Sequence, residues 1–172
     1  IDVTYNRAPT AISLSANTIA ENGGSGATVG TLHTDDPDPS DAGLHSYAIV
    51  PGMGDDTFTI DGNALKALSS FDYESGNITY TVTIASTDPG NLSVQKSFTI
   101  TVIDINEAPI ANDDLVSPLD KIFVGSGDTI DVLANDSDPD PGTILQISAV
   151  GTPGSGSDSI SGNIVHFDPP DN

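Results

Sequence analysis

The sequence predicts an all-β fold made of β-sandwich domains in tandem. Apolar and polar residues alternate in short runs, turn residues separate these runs about every eight to twelve positions, and no window has a sustained helical period. About seven such runs in roughly 100 residues are typical of a Greek-key β-sandwich. A length of 172 residues therefore allows one large domain or two small ones.

The first predicted sandwich contains seven short strands. Its most regular strand has Ile78, Tyr80, Val82 and Ile84 interleaved with Thr, which indicates one buried face. A long acidic, Pro-rich loop separates two of the strands. The predicted strands contain Ile12–Leu14, Thr28–His33, Leu44–Val50, Thr57–Ile60, Ala64–Leu68, Ile78–Ile84 and Val94–Ile103, and the loop is Asp35–Gly43.

Internal repetition favours two domains over one. Three motifs recur at an offset of about 100 residues, which is the size of one small sandwich. They are Ala8-Pro9 with Ala108-Pro109, Asp36-Pro37-Asp38-Pro39 with Asp138-Pro139-Asp140-Pro141, and Ile60-Asp61-Gly62-Asn63 with Ile160-Ser161-Gly162-Asn163. We therefore expect residues 1–7 to be the end strand of a preceding module, residues 8–107 to form the first domain and residues 108–172 the second.

The second domain is predicted to be incomplete. Its expected strands are Thr129–Leu133 and Ile144–Val150, followed by the run Ser159–Phe167. It lacks counterparts of Ile78–Ile84 and Phe98–Val102, as expected of a chain truncated at its C-terminal end. A second interpretation is that another chain supplies the missing strands, with residues 1–7 donated in a filament.

Charge excludes several classes of partner. The net charge is −21, from 25 acidic and 4 basic residues, so nucleic acid and anionic membrane surfaces would be repelled. The acids are clustered in loops rather than spread, which favours a divalent cation bound by oxygen ligands. The chain has no Cys and no apolar run long enough to enter a membrane. Calcium in place of disulfides is consistent with a secreted or cell-surface protein.

Five motifs in the first domain occur in the order and spacing of a known family. They are Ala20-Glu21-Asn22, Asp36-Pro37-Asp38, Phe71-Asp72-Tyr73-Glu74, Thr87-Asp88-Pro89-Gly90 and the linker Asp104–Pro109. With these motifs the first domain resembles a bacterial cadherin-like repeat. The second domain, through Val132–Asp140, resembles the related cadherin-like and Ig-like tandem repeats of large bacterial surface adhesins.

The resemblance implies calcium ions at the junction of successive repeats. The ligands it implies there are Glu21, Asp72 and Glu74 from the first domain, Asp104, Asn106 and Glu107 from the linker, and Asp136, Asp138 and Asp140 from the second domain. Calcium accepts six to eight oxygens in flexible geometry, which such a set of loops can supply.

A second calcium site is implied at the preceding junction. Its ligands would be Asp36, Asp38 and Asp88. In that linker Arg7 occupies the place that Glu107 has in the later one, and a cation opposes calcium binding. We therefore expect this site to be weaker or vacant.

The sequence thus predicts a non-enzymatic calcium-binding module of a bacterial adhesin or repeat protein. Calcium would make the junction rigid, for adhesion or as a spacer, and the partners would be neighbouring modules, other copies of the chain or surface glycans. The three histidines match no catalytic or zinc motif.

Two further functions stay open. One is a carbohydrate-binding accessory module of an extracellular polysaccharidase, although the chain has no Trp and only 4 Tyr. The other is calcium-triggered cleavage at an Asp-Pro bond.

Overall fold

The structure is a computed structural model that describes residues 5–114, 128–153 and 156–168. The chain divides into two compact units, Ile1–Ile105 and Asn106–Asn172. Within the described residues, no helix has the length and apolar character needed to span a bilayer. Of the strand expected at residues 1–7, positions 1–4 lie outside the described part, and residues 5–7 form no strand.

The first unit is a sandwich of two four-stranded sheets, which confirms the predicted all-β fold. One sheet has the order β1-β3-β6-β5 and the other β2-β8-β7-β4. The strands are β1 Ala11–Leu14, β2 Thr18–Ala20, β3 Thr28–Asp35, β4 Ser46–Ile49, β5 Phe58–Asp61, β6 Ala64–Ala67, β7 Thr79–Thr87 and β8 Ser93–Ile103. The chain passes from one sheet to the other after β1, β2, β3, β4 and β6, so the two sheets are built from interleaved parts of the sequence.

The core lies between the two sheets and follows the alternation in the sequence. In β7, Val82 and Ile84 are buried, and they alternate with residues that are more exposed. On the other sheet Leu65 is completely buried in β6. Burial of such side chains gives about 1.5–3 kcal/mol each, so this two-sided core is the main source of stability for the first unit.

An additional short strand, β2, was not expected from the sequence. Its three residues are too few to show a period. They pair in parallel with the end of β8, with Ala20 opposite Ile103. Gly30 makes room for the crossing from β1 to β2, because a Cβ there would lie 2.8 Å from the carbonyl oxygen of Ala16. This crossing places the residue after β2 at one end of the sandwich.

The second unit contains a three-stranded antiparallel sheet of order β10-β11-β9. Its strands are β9 Asp128–Asp131, β10 Ser157–Ser161 and β11 Ile164–Asp168. The expected run Ser159–Phe167 is a hairpin that turns at Gly162. The prediction of a strand at Ile144–Val150 was wrong: among the described residues this segment forms no strand and pairs with none, and Ile144 is 81% exposed. Apolar residues alone do not make a strand without a partner for the backbone hydrogen bonds.

Candidate metal centres

Strand pairing brings two predicted ligands together at one end of the first unit. Because β2 and β8 run parallel and end side by side, the residues that follow them, Glu21 and Asp104, emerge at the same edge. A third acid, Glu74, comes from the loop between β6 and β7. Glu21, Glu74 and Asp104 each offer a carboxylate oxygen, and these oxygens lie within 4.8 Å of one another. We call these three residues the Glu21 group.

Glu21 is the structural centre of this group. Its side chain is buried, with 3% exposure, and both of its oxygens accept backbone hydrogen bonds. The N–H of Tyr73 donates to Oε2 at 2.8 Å, and the N–H of Ile105 donates to Oε1 at 2.9 Å. One carboxylate therefore joins the loop that carries Glu74 to the segment that carries Asp104.

Aromatic packing fixes the loop that carries Glu74. Phe71, three residues earlier, is buried against Phe58 and Tyr80, with ring centroids 5.9 and 4.8 Å away. The N–H of Asn22 also donates to the carbonyl of Phe71 at 3.1 Å. The loop that carries Glu74 is thus anchored to the core through Phe71.

Asp72 is the one predicted ligand of this loop that the structure does not bring into the Glu21 group. It is exposed, and its Oδ1 accepts a hydrogen bond from the N–H of Ser75 at 3.0 Å. The Ser75 hydroxyl donates to the Asp72 carbonyl at 2.7 Å. In this structure Asp72 closes the turn that follows it.

The Glu21 group has the chemistry of a site for a hard cation. All its side-chain donors are carboxylate oxygens, which calcium prefers, and none is a nitrogen or sulfur. Two unit charges 4.8 Å apart repel by about 1 kcal/mol in water and about 3.5 kcal/mol at an effective dielectric constant near 20. Three such pairs are a large cost beside a typical domain stability of about 5–15 kcal/mol. A divalent cation would convert this repulsion into attraction.

A second acidic group lies at the opposite end of the first unit. Since β7 is antiparallel to β8, Asp88, which follows β7, is remote from Asp104. Asp36, Asp41 and Asp88 offer carboxylate oxygens within 4.8 Å of one another, and all three are buried or half-buried. We call these three residues the Asp36 group. Asp36 and Asp88 were expected as ligands, whereas Asp41 was not.

Neighbouring groups already occupy several oxygens of the Asp36 group. His45 Nε2 lies 3.0 Å from Asp36 Oδ2, and both side chains are almost fully buried, at 3% and 2% exposure. The N–H of Leu92 lies 2.8 Å from Asp88 Oδ1 and donates to it. His45 thus has a buried acidic partner in Asp36.

Asp38 is not a member of the Asp36 group and pairs with Arg7. The guanidinium Nη2 of Arg7 lies 2.8 Å from Asp38 Oδ1, and its backbone N–H donates to Oδ2 at 2.5 Å. The backbone hydrogen bond and then the side-chain hydrogen bond from Arg7 hold the pKa of Asp38 below its ordinary value. The structure therefore gives Asp38 an internal cation as its partner.

In the second unit, hydrogen bonds link predicted ligands of the linker to predicted ligands of the acidic loop. The N–H of Glu107 donates to Asp140 Oδ2 at 2.8 Å, and the N–H of Asp140 donates to Asp138 Oδ1 at 2.9 Å. Asp136 Oδ1 accepts from the N–H of Asn112 at 2.8 Å. Asn106 donates through its side chain to the carbonyl of Glu107 at 2.8 Å. A cavity of about 340 Å³ is lined by Asn106, Glu107, Asp136 and Asp138 together with apolar side chains.

Sequence reasoning missed Asp41 because no motif contains it. It lies five residues after Asp36, on a short 3₁₀ turn at Pro39–Asp41 within the acidic loop. The only available signal was Pro39, which is favourable at the first position of a helical turn and so indicates that the loop folds back there. Spacing in the sequence could not show that this turn directs Asp41 toward Asp88.

Comparison with known proteins agrees with this architecture. The family model described as a bacterial Ig domain matches residues 106–172. Human cadherin-related family member 2 is 31% identical over 150 residues, which is 83% of this chain and 11% of that protein. The crystal structure of human CDH23 EC21-23 has a TM-score of 0.53 at 20% identity, and the match covers 95% of this chain and 55% of that one.

These findings agree with the interleaved two-sheet topology and confirm the resemblance drawn from the motifs. At 20% identity the structural likeness concerns the fold alone. The chain is built of cadherin-like and Ig-like β-sandwich repeats.

Proposed function

We propose that the chain is a calcium-binding segment of a secreted or cell-surface bacterial repeat protein. In this proposal, acids on both sides of the connection between residues 105 and 106 bind calcium, which makes the connection between repeats rigid. The single observation that carries the proposal is the Glu21 group, with three carboxylate oxygens within 4.8 Å and no nitrogen or sulfur donor among its side chains.

Within the first unit, each member of the Glu21 group has a separate task. Glu21 holds the loop of Tyr73 and the segment of Ile105 by two hydrogen bonds, so the group is preformed. Glu74 and Asp104 add further oxygens, and Asp104 is the exposed member. Bound calcium would add positive charge next to these three carboxylates. Preformed ligands lose little conformational entropy on binding, which favours high affinity.

Within the second unit, a separate set of hydrogen bonds holds the acids that the resemblance assigns to calcium. The Glu107 N–H is bonded to Asp140, and the Asp140 N–H to Asp138, so the linker residue Glu107 is held against the acidic loop. In the proposal, calcium bound by the acids near the connection between residues 105 and 106 makes that connection rigid. Its binding free energy would then contribute to the order of the array.

Calcium titration calorimetry tests the binding part of the proposal. The protein should bind calcium, and Asp104→Asn should weaken the affinity by about tenfold or more, because it removes one charged ligand. Asp56→Asn is the matched control, since it removes an equal charge from an exposed acid in the loop before β5. Absence of calcium binding, or an equal loss in both variants, would contradict the proposal.

Small-angle X-ray scattering tests the mechanical part. In millimolar calcium the scattering should indicate a less flexible particle, with a better-defined maximum dimension, than in chelator. Glu107→Gln should reduce this difference while the melting of the first unit is preserved. Identical scattering in calcium and chelator would show that binding does not stiffen the chain, and the protein would then be a calcium-binding module without a spacer role.

A further inference from the structure

The described N-terminal residues are seated on two acidic loops at the end of the first unit that carries the Asp36 group. Arg7 makes four contacts there. Its backbone N–H donates to Asp38 Oδ2, its Nε and Nη2 lie 2.9 and 2.8 Å from Asp38 Oδ1, and Nη2 also donates to the carbonyl of Pro37. A single residue thus engages both carboxylate oxygens of Asp38 and a neighbouring backbone oxygen.

Asn6 makes a second, independent contact with the adjacent loop. Its Nδ2 donates to Asp88 Oδ2 at 3.2 Å. The fit at this place is close, because a Cβ added to Gly90 would lie 2.2 Å from Asn6 Nδ2 and 2.7 Å from its Cγ. Any side chain at position 90 would therefore move Asn6 away from Asp88.

We propose that Asn6 and Arg7 form a metal-independent clasp, in which the Arg7 guanidinium is a tethered cation that takes the place of calcium at Asp38. The resemblance assigns Asp38 and Asp88 to calcium, yet both carboxylates accept hydrogen bonds from the clasp. Arginine carries its charge at every physiological pH and presents several N–H donors in a fixed plane, which suits a carboxylate and an adjacent carbonyl.

The clasp and the Glu21 group differ in their source of positive charge. At the clasp the charge is covalently part of the chain, so its local concentration does not depend on calcium in solution. At the Glu21 group the three clustered side chains are all carboxylates. One end of the first unit is therefore held at any calcium concentration, whereas the other end responds to calcium. The calcium response of the Glu21 group rests on the proposed function, whereas the clasp does not.

Two variants separate the parts of the clasp. Arg7→Ala removes the tethered cation, and the side chain is 56% exposed, so the core is not affected. Gly90→Ala displaces Asn6 without a change of charge. In chelator, both should lower the melting temperature of the first unit by about 2 °C or more. An unchanged melting temperature for both variants in chelator would overturn the clasp.

Calcium calorimetry on the same proteins tests the replacement of calcium. Arg7→Ala should bind one more calcium ion than the parent, or bind calcium about tenfold more tightly, because Asp38 becomes available near the Asp36 group. Lys66→Ala is the control for the loss of one positive charge, and it should leave calcium binding unchanged. If Arg7→Ala binds calcium with the same stoichiometry and affinity as the parent, the proposal that Arg7 takes the place of calcium is overturned. The proposed function fails separately, if the parent protein binds no calcium.

Discussion

Replacement of Asp104 by Asn should raise the melting temperature in chelator and reduce the further rise that calcium produces. Asp104 is exposed, and its carboxylate lies within 4.8 Å of those of Glu21 and Glu74. Each repulsive pair costs about 1 kcal/mol when solvent screens it, so the variant should gain about 2 kcal/mol without calcium. For a domain of about 100 residues, 1 kcal/mol corresponds to about 4–8 °C.

In contrast, Asp104→Asn should reduce the stabilisation that calcium gives. Calcium at about a hundred times its dissociation constant stabilises the folded protein by about 2.7 kcal/mol. An affinity about tenfold weaker reduces this gain to about 1.4 kcal/mol at the same calcium concentration. The difference in melting temperature between calcium and chelator should therefore be about half that of the parent.

Circular dichroism of the β-sheet signal during heating measures both effects. Asp56→Asn again controls for the removal of one exposed negative charge, and it should leave the calcium-dependent difference unchanged. A melting temperature in chelator that is equal to or below that of the parent would refute the repulsion argument. A calcium-dependent difference that stays at the parent value would refute the role of Asp104 as a ligand.

Three other predictions concern the fold of the first unit. Leu65→Ala should cost about 2–5 kcal/mol in urea unfolding, since Leu65 is 0% exposed, whereas Leu68→Ala, at 43% exposed, should cost less than about 1 kcal/mol. Gly54→Ala should lower the free energy of unfolding by more than about 1 kcal/mol, because φ is +103° and the new Cβ would lie 2.9 Å from a carbonyl oxygen of β7. Equal urea midpoints for the variant and the parent would contradict this. The hydrogen bond and then the charge of Lys66 hold the pKa of Asp61 below its ordinary value. The stabilisation from this pair is therefore present above the ordinary aspartate pKa and is lost as the pH falls through the lowered value, and Lys66→Ala should raise the Asp61 pKa in a carboxyl NMR titration.

Local pattern was sufficient for most of the first sandwich. The alternation of Ile78, Tyr80, Val82 and Ile84 predicts which face of β7 is buried, because a period of two is a property of the extended chain itself. In the structure Val82 and Ile84 are fully buried, with Ile78 and Tyr80 packed beside them. The short strand β2 could not be predicted in this way, since three residues carry no period and its pairing partner lies about eighty residues away.

For the candidate ligands, too, the sequence predicts some features and leaves others to the tertiary structure. The acidic motifs themselves were visible, and the order of Glu21, Glu74 and Asp104 along the chain supports the resemblance. Which acids come together in each group could not be predicted from the sequence. Asp72 turns to Ser75 and Asp41 turns toward Asp88, and neither orientation follows from the residues next to them in the sequence.

The sequence by itself determined the fold class, the acidic character of the loops and the kind of cation that such loops suit. These follow from side-chain chemistry and from a period that each strand carries alone. Only the tertiary structure decided that Glu21 lies beside Asp104, and that Arg7 engages Asp38. The segment 144–150 has the composition of a strand but no pairing partner in the described part of the chain. Backbone pairing and carboxylate clustering both depend on groups that are distant along the chain, so folding brings them together where sequence spacing cannot.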